Sequence, residues 1–215
     1  MKKYVSLSFD DGPSSDSTMN DMLNVLEHYQ IKASFYLIGN KINEKNTKVI
    51  KRAFDMGCDI QNHSWTQSDM TKFSIDEIKN EYAKTDDAII NITGKRPEYF
   101  RPPYIAVSYE MYDAIKVPFI CGKGCEDWLP EVSADDRCNR MLQMAEDGTI
   151  FLLHVMEGNQ NTVKAVDTVV PLLLERGYEF VTVPELFKLK GINPNKEHSL
   201  WDVVKDNYKN NTFPR

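Results

Sequence analysis

The strongest constraint on the fold of this chain is a regular alternation of strand-like and helix-like segments. Seven short apolar runs predict strands at residues 4–9, 33–38, 59–63, 99–101, 117–121, 149–154 and 179–183. Between them, apolar residues recur at the spacing of an amphipathic helix, as at Met19, Met22, Leu23 and Leu26. Parallel strands need long crossover connections, which are usually helices. The order therefore predicts an α/β fold with a parallel sheet, closed or nearly closed, and outer helices.

The alternation does not decide how the sheet closes. A regular eightfold barrel and an open doubly wound sheet remain alternatives to a seven-stranded barrel, because all three share this order of elements.

Local signals are clearer at some helix ends. Ser74 and Glu77 have the spacing of a capping box, and Gly177 follows an apolar helical stripe, as expected of a residue that ends a helix.

Domain organisation follows from the absence of repeats, linkers and low-complexity segments in the sequence. We expect residues 1–191 to form one domain. Residues 192–215 are rich in Asn, Lys and Pro, and we expect them to form a C-terminal surface extension whose Trp201 packs back onto the barrel.

Size and charge narrow the classes of function. The chain has 215 residues, enough for a single barrel, and a formal net charge of −6. This balance disfavours nucleic acid or an anionic membrane as a partner. No apolar stretch in the sequence approaches the ~20 residues that a membrane helix needs. A neutral ligand or a small metal-dependent site suits this composition better.

The four cysteines, Cys58, Cys121, Cys125 and Cys138, are few for a scaffold held by disulfides. Cys121 and Cys125 form a C-x3-C pair that is able in principle to bind zinc. No second pair of His or Cys residues stands at the spacing of a structural zinc site. We therefore expect buried free thiols.

The first predicted strand ends in two adjacent carboxylates, Asp10 and Asp11, which are followed by Gly12 and Pro13. Neighbouring like charges repel, and both lose solvent at the end of a buried strand. A metal ion can relieve this repulsion by binding one carboxylate, while the other stays free to act as a base. The alternative is an ordinary turn, since Asp, Gly and Pro are common turn residues.

Chemically active residues also follow other predicted strands. With the first pair they form five groups: Asp10-Asp11, Asn62-His63-Ser64, Arg101-Pro102-Pro103-Tyr104, Glu126-Asp127-Trp128 and Leu152-Leu153-His154. Functional groups of a parallel α/β barrel lie at the carboxyl ends of its strands. A single His is more often structural, but five such groups at one opening are hard to explain by packing. The pattern predicts an active site there.

Over residues 3–191 the chain resembles the polysaccharide deacetylases of carbohydrate esterase family four. The motifs SFDDGP, NHSWTQ, RPPY, EDW and LLH stand in the order of that family. The stretch 176–187 is further similar to the acetylxylan esterases of clostridial type. The resemblance implies a distorted (β/α)7 barrel of the polysaccharide deacetylase type, with a groove over its opening and a metal-dependent hydrolase activity.

The resemblance also implies catalytic roles for residues at matching positions. Asp10 corresponds to the catalytic base, and Arg101 is expected to pair with it. His154 corresponds to the general acid, with Asp127 placed to orient its ring and stabilise the imidazolium. The backbone N–H of Tyr104 is expected to face the developing oxyanion.

Substrate and metal contacts are implied in the same way. Trp128 and Leu152 are expected to form the apolar pocket for the acetyl methyl group, next to Tyr104. Asp11 and His63 correspond to metal ligands. The implied cofactor is a divalent ion, zinc in the first place, with cobalt or nickel able to substitute.

Two positions depart from the family pattern. Gln67 stands where the family has its second histidine ligand, four residues after His63. Glutamine offers only a neutral carbonyl oxygen, so we expect weaker metal binding and an oxygen-rich, octahedral coordination completed by water. Val155 replaces the Asp that usually follows the histidine of the last motif, which removes a polar contact and leaves His154 itself in place.

The leading hypothesis is hydrolysis of O-acetyl groups on xylan or xylo-oligosaccharides, with release of acetate. An N-acetylglucosamine deacetylase acting on chitin oligosaccharides or peptidoglycan is an alternative, because it would use the same residues. A catalytically impaired carbohydrate-binding homologue is a second alternative, which Gln67 and Val155 favour. We expect an acetylated poly- or oligosaccharide as the partner, with no nucleic acid and no membrane, and a monomeric protein.

The first residues do not have the pattern of an export signal. Lys2 and Lys3 resemble a charged n-region, but Ser6, Ser8 and Asp10 interrupt any apolar stretch. Two expectations for localisation stay open: a cytoplasmic enzyme that trims imported oligosaccharides, or a secreted enzyme whose leader was removed.

Overall fold

The computed structural model describes residues 2–205 of the chain. Its strands are β1 Lys3–Gly12, β2 Ser34–Leu37, β3 Asp59–Asn62, β4 Phe119–Ile120, β5 Lys123–Gly124, β6 Ile150–His154, β7 Tyr178–Phe180 and β8 Leu200–Trp201. Its α-helices are α1 Thr18–His28, α2 Thr47–Asp55, α3 Ile75–Thr93, α4 Tyr109–Ala114, α5 Ala134–Met144, α6 Gln160–Glu175 and α7 Val183–Lys190. All strands pair in parallel, as the alternation of strands and helices predicts.

Strand β1 lies at the centre of the sheet. It pairs with β2 and β6, and its first residues also pair with β7. Leu7 and Phe9 alternate along it with Ser8 and Asp10, and all four side chains are buried. Leu7 and Phe9 belong to the main apolar core, which the residues of α1 and α6 share. Burial on both faces of a strand is typical of parallel sheets, and here it places polar side chains on the inner face.

Short pairings close the sheet into a distorted barrel. β2 pairs with β3, and Phe100 bridges Asn62 of β3 and Phe119 of β4. β4 then pairs with β8, and an antiparallel bridge joins Val203 to Thr149 at the start of β6. Because β6 pairs with β1, the ring of pairings is complete. The predicted barrel is confirmed, and the open doubly wound sheet is not formed.

Two segments differ from the predicted strands. The predicted strand at 99–101 is reduced to the single bridging residue Phe100, because Pro102 and Pro103 follow it and have no backbone N–H to donate. β5 was not predicted, since a strand of two residues, one of them Gly124, leaves no periodic signal.

The segment after residue 191 takes part in the barrel. Trp201 is fully buried against Phe187 and donates from Nε1 to the carbonyl of Pro194 at 3.0 Å, so the expected packing of this side chain is confirmed. Leu200 and Trp201 also form β8, so residues 200–204 are part of the ring rather than a surface extension, with Leu200, Trp201, Val203 and Val204 buried. Residues 206–215 of the predicted extension lie outside the described residues.

Local signals at the helix ends are confirmed. Ser74 and Glu77 form the predicted capping box of α3. Helix α6 ends at Glu175, and Gly177 follows with φ 80°, a backbone conformation that favours glycine.

All four cysteines are free, and Cys58, Cys125 and Cys138 are buried, as expected. Within residues 2–205 no three His, Cys, Asp or Glu side chains come together as a group able to hold a metal ion. A search of the same residues finds no helix with the length and apolar character needed to cross a membrane.

Candidate active site

Asp10 lies at the end of β1 against a fully buried arginine. Arg101 Nη1 donates to Asp10 Oδ1 at 2.7 Å, and Nη2 donates to Ser8 Oγ at 2.7 Å. The guanidinium carbon lies 4.2 Å from the centre of the buried Tyr36 ring. A buried carboxylate needs a hydrogen-bonded counter-charge, and Arg101 supplies it while fixing the orientation of Asp10.

Asp11 leaves the regular strand and enters a different environment. Its φ of 67° lies in the left-handed region, which Asp tolerates better than most residues. Its backbone carbonyl accepts a hydrogen bond from Lys41 Nζ at 3.1 Å. The adjacent carboxylates therefore separate, with Asp10 directed to Arg101 and Asp11 to the loop after β3.

His63 follows β3 and is buried between the two aspartates. Its Nδ1 lies 2.7 Å from the carbonyl oxygen of Arg101, an acceptor that requires the proton on Nδ1. Nε2 lies 3.6 Å from Asp11 Oδ1 and 3.8 Å from Asp10 Oδ2. A second hydrogen-bonded nitrogen is the usual support of a metal-ligating histidine.

These donors fit a divalent ion. One imidazole nitrogen and one carboxylate oxygen 3.6 Å apart can ligate the same ion, because zinc bonds to each at ~2.0–2.2 Å. Gln67, four residues after His63, donates a hydrogen bond from its side-chain amide to Asp11 Oδ1. His63 and Asp11 are therefore two side chains whose donor atoms lie close enough to share an ion, and Gln67 contacts one of them.

Helix α3 holds the loop that carries His63 and Gln67. The buried carboxylate of Glu81 accepts hydrogen bonds from the backbone N–H of Trp65 at 3.1 Å and of Thr66 at 2.8 Å. The hydroxyl of Thr66 donates to the same oxygen at 2.9 Å. Three bonds to one carboxylate oxygen fix this loop on the helix.

His154 ends β6 and is paired with Asp127. Its Nδ1 lies 2.8 Å from Asp127 Oδ1, and its backbone N–H donates to Oδ2 at 2.7 Å. Burial acts to lower the pKa of His154, but the hydrogen bond and charge of Asp127, with the charges of Asp10 and Asp11, raise the pKa above its usual 6.5. The imidazolium form is thus stabilised, and Nε2 is left for a substrate.

A buried polar network holds Asp127 in place. Thr162 Oγ1 donates to Asp127 Oδ2 at 2.9 Å, and Arg137 Nη1 donates to the same Thr162 oxygen at 2.8 Å. Arg137 is buried and also donates from Nε to the carbonyl of Val132 at 2.9 Å. The helices α5 and α6 therefore fix the partner of His154.

The register of the sheet brings the two halves of the site together. Asp10 and His154 are direct partners on the adjacent parallel strands β1 and β6. The backbone N–H of Val155 donates to the Asp10 carbonyl at 3.0 Å. Side chains of register partners in parallel strands extend to the same face of the sheet, so a carboxylate and an imidazole stand next to each other there.

The remaining predicted residues lie further out. Tyr104 has φ 57° and a side chain that is 72% exposed. Trp128 is 46% exposed, and its ring meets the His154 ring edge to face at 5.6 Å. Leu152 is buried on β6, two residues before His154. Trp128 thus stands beside the buried polar centre, and Tyr104, three residues after Arg101 in the chain, is exposed.

The structure brings the predicted polar residues to one end of the barrel: Asp10, Asp11, His63, Arg101, Asp127 and His154. Sequence reasoning missed Ser8, Tyr36, Glu81, Arg137 and Thr162, which support them. Ser8 carried a signal, because it alternates with Asp10 on one face of β1. The other four stand outside the motifs.

Known proteins of one family are similar to this chain. Residues 1–117 match the family model described as polysaccharide deacetylase. A bifunctional xylanase/deacetylase of Pseudobutyrivibrio xylanivorans is 45% identical over 204 residues, which are 95% of this chain and 34% of the relative. The chain thus spans about a third of the length of this curated relative.

Two solved structures are similar over almost their whole length. The Xyl-CE4 domain of a multidomain xylanase from the hindgut metagenome of Trinervitermes trinervoides is 44% identical, with a TM-score of 0.92 over 94% of this chain and 98% of that one. A family 4 acetyl xylan esterase from Clostridium thermocellum, solved in complex with a cobalt ion, is 36% identical, with a TM-score of 0.90 over 94% and 99% of the two chains.

Proposed function

The chain belongs to the polysaccharide deacetylase family, and we propose that it is a metal-dependent esterase that hydrolyses O-acetyl groups of xylan or xylo-oligosaccharides and releases acetate. The observation that carries the proposal is the pairing of Asp10 with His154 across β1 and β6. Asp10 is bound to a buried arginine, and His154 to a buried aspartate. Ester hydrolysis needs such a base and acid on two sides of one reacting carbon.

Each side chain has a definite task in this proposal. Asp10 removes a proton from the attacking water, with its other oxygen held by Arg101. His154 gives a proton from Nε2 to the departing sugar oxygen, and Asp127 stabilises the imidazolium. The backbone N–H of Tyr104 faces the oxyanion of the tetrahedral intermediate.

The acetyl group needs an apolar pocket that excludes water. Leu152 and Trp128 supply apolar surface next to His154, on the strand that carries it and on the loop after β5. Tyr104, three residues after Arg101 in the chain, is exposed. We assign the acetyl methyl group to the surface between Leu152 and Trp128.

Metal dependence is a property of the family, and Asp11 and His63 are the residues of this chain that would hold the ion. A bound divalent ion would supply Lewis-acid polarisation of the ester carbonyl and lower the pKa of water. The mixed nitrogen and oxygen donors suit zinc, and cobalt or nickel also accept them. The cobalt complex of the Clostridium thermocellum esterase supports this range of ions.

The test is acetate release from acetylated xylo-oligosaccharides and from chitin oligosaccharides, with added zinc, cobalt or nickel and with chelator. We expect release from the xylan-derived substrate that chelator abolishes. Asp10→Asn removes the base, and loss of general base catalysis typically costs ~10²–10⁴-fold in kcat. Asp113→Asn, at an exposed position of α4, is the matched control. Parental turnover in Asp10→Asn with metal present would contradict the role of Asp10.

The same panel tests the alternatives. Release from chitin oligosaccharides alone would make the protein an N-acetylglucosamine deacetylase with the same residues. Absence of release from every substrate would favour a carbohydrate-binding homologue. The intact pairs Asp10–Arg101 and His154–Asp127 favour the enzyme, because a binding protein needs neither.

A further inference from the structure

Arg137 is a buried cation that lies on α5, behind the partner of His154. Within residues 2–205 its guanidinium donates only to neutral oxygens. We propose that Arg137 is a positioning residue for the proton transfer from His154, and that it acts by orienting the two side chains that hold Asp127. The inference rests on the proposed function and deepens it, because it assigns a task in that reaction to a residue one contact removed from Asp127.

The hydroxyl of Thr162 has one direction left for its proton. Arg137 Nη1 donates to Thr162 Oγ1 at 2.8 Å. A guanidinium has no acceptor, so the hydroxyl must accept this bond and keeps its single proton for another partner. That partner is Asp127 Oδ2, at 2.9 Å. The arginine therefore makes Thr162 a fixed donor to the carboxylate.

The side-chain amide of Asn159 is oriented in the same way. Its Oδ1 lies 2.5 Å from Arg137 Nη1, and only the oxygen of an amide can accept a hydrogen bond there. Its Nδ2 therefore donates on the other side, to the carbonyl of His154 at 3.0 Å and to Asp127 Oδ2 at 3.5 Å. An amide turned by half a rotation would withdraw this donor from both acceptors. Arg137 thus determines which end of Asn159 meets Asp127 and His154.

The two oriented donors hold one oxygen of Asp127 and leave the other to the imidazole. The backbone N–H of His154 also donates to Oδ2, at 2.7 Å, whereas Oδ1 faces Nδ1 of the His154 ring at 2.8 Å. Asp127, Asn159 and Thr162 are all buried, so solvent does not readily replace these bonds. A carboxylate fixed at Oδ2 cannot rotate, and its Oδ1 keeps the ring of His154 in one orientation.

The charge of Arg137 does not neutralise Asp127 directly. Asp10 has the opposite arrangement, because Arg101 Nη1 donates to its carboxylate at 2.7 Å. At Asp127 a hydroxyl and an amide stand between the two charges. A direct ion pair would compete with the imidazolium for the negative charge. The intervening groups orient Asp127 and leave its charge to stabilise the imidazolium of His154.

The test compares two leaving groups. We would measure kcat/KM of the metal-loaded full chain for acetylated xylotriose and for 4-methylumbelliferyl acetate. A sugar alkoxide needs a proton to depart, whereas the aryloxide is a far weaker base and departs without one. For Thr162→Val we expect the ratio of the first value to the second to fall by ~10-fold or more, as part of the ~10²–10⁴-fold that a general acid contributes. Thr162→Ser keeps the hydroxyl and should retain the parental ratio.

Arg137→Met removes the cation that orients both side chains and should lower the same ratio. Because Arg137 acts partly through Thr162, the double variant should lower the ratio by less than the product of the two single effects. Thr168→Val, at an exposed position of α6, is the matched control and should keep the parental ratio. Circular dichroism and thermal unfolding establish that each variant is folded.

The outcomes separate this role from a structural one. An unchanged ratio in Thr162→Val and Arg137→Met, whether or not both kcat/KM values fall, would overturn the positioning role, because a loss of structure does not depend on the leaving group. Thr162→Val exchanges one hydroxyl for a methyl group, so it decides the matter alone if Arg137→Met does not fold. A parental protein that hydrolyses the aryl ester and releases no acetate from the trisaccharide would contradict the proposed function itself.

Discussion

At the scale of single residues, both histidines of the site are hydrogen-bonded through Nδ1, but to different partners. Nδ1 of His63 is bonded to the neutral carbonyl of Arg101, and Nδ1 of His154 to the charged carboxylate of Asp127. A carbonyl oxygen keeps a proton on Nδ1 and leaves Nε2 as the nitrogen that faces an ion, whereas a carboxylate stabilises the imidazolium that an acid needs. The chemistry of each imidazole is set by the group behind it.

The first prediction concerns the pH dependence that Asp127 confers. Because the pKa of His154 is raised, its acid form is populated below that pKa and is lost as the pH rises through it. We expect kcat to fall on this alkaline limb. Asp127→Asn removes the charge that raises the pKa, so the limb should move to lower pH. The measurement is a pH profile of kcat with saturating metal.

Asp135→Asn, at an exposed position in the first turn of α5, is the control for this profile. It should keep the parental limb. An alkaline limb that stays in place in Asp127→Asn would show that another group controls it.

Gln67 gives a prediction for metal affinity. Its amide already reaches Asp11 Oδ1, so a histidine there would present an imidazole nitrogen to the same place as His63 Nε2. We expect Gln67→His to bind zinc at least tenfold more tightly, because a third protein ligand replaces water. Isothermal titration calorimetry of the metal-free protein measures the dissociation constant. Gln67→Asn, which shortens the side chain and adds no imidazole, should not tighten binding.

At the scale of elements, α3 determines the position of the loop after β3. Glu81 and Asp86 lie on the buried side of α3, and Asp86 Oδ1 accepts a hydrogen bond from Asn62 Nδ2 at 2.9 Å. Asn62 in turn accepts from the backbone N–H of Ser64 at 2.8 Å. The residues on both sides of His63 are thus tied to one helix, and the position of the imidazole depends on it.

Replacement of Glu81 tests this dependence. Glu81→Ala leaves the N–H groups of Trp65 and Thr66 without their acceptor, so the loop should lose its fixed position. Loss of an outer partner of a metal site typically costs ~10–100-fold in affinity, and we expect a weakening of that size for zinc. Titration calorimetry gives the affinity. Glu81→Gln keeps one carbonyl acceptor and should recover part of it; equal zinc affinity in Glu81→Ala and the parental protein would contradict the role.

The sequence predicts the motifs of the site better than the elements that support it. Asp10, His63 and His154 stand directly at strand ends, where a short pattern is visible. Glu81 and Arg137 act from helices 17 or more positions away from these residues along the chain, and a buried charge on a helix resembles a solvated one in sequence. Two-residue strands such as β5 cannot be predicted from the sequence either, because they are too short to show a hydrophobic period.

At the scale of the whole molecule, the barrel closes through its last described residues. Val204 donates to the carbonyl of Gly148 at 2.8 Å, and the backbone N–H of Gly148 donates to Tyr4 at 2.8 Å. A Cβ at Gly148 would lie 2.3 Å from the Val204 carbonyl oxygen, so the close approach requires glycine. The C-terminal segment, β6 and β1 are therefore joined at one point, which sequence periodicity does not reveal.

Stability of the whole barrel should depend on pH through Asp59, at the start of β3 and away from the site. Burial raises the pKa of Asp59 from 3.8 to about 6, despite a hydrogen bond from Gln61 Nε2 at 2.7 Å and Lys95 Nζ at 3.9 Å. A carboxyl group with a raised pKa stabilises the fold when protonated. Its contribution is complete below pH ~4 and is lost as the pH rises through about 6.

Asp59→Asn should remove this loss, because the amide is neutral and its oxygen still accepts from Gln61. A shift of about two pKa units corresponds to at most ~3 kcal/mol. We expect the variant to exceed the parental free energy of unfolding by up to that amount at pH 8, and by much less at pH 4, in urea titrations. Asp55→Asn, at an exposed position of α2, controls for the general loss of a negative charge. An equal difference between Asp59→Asn and the parental protein at both pH values would mean that Asp59 titrates alike in the folded and unfolded chain.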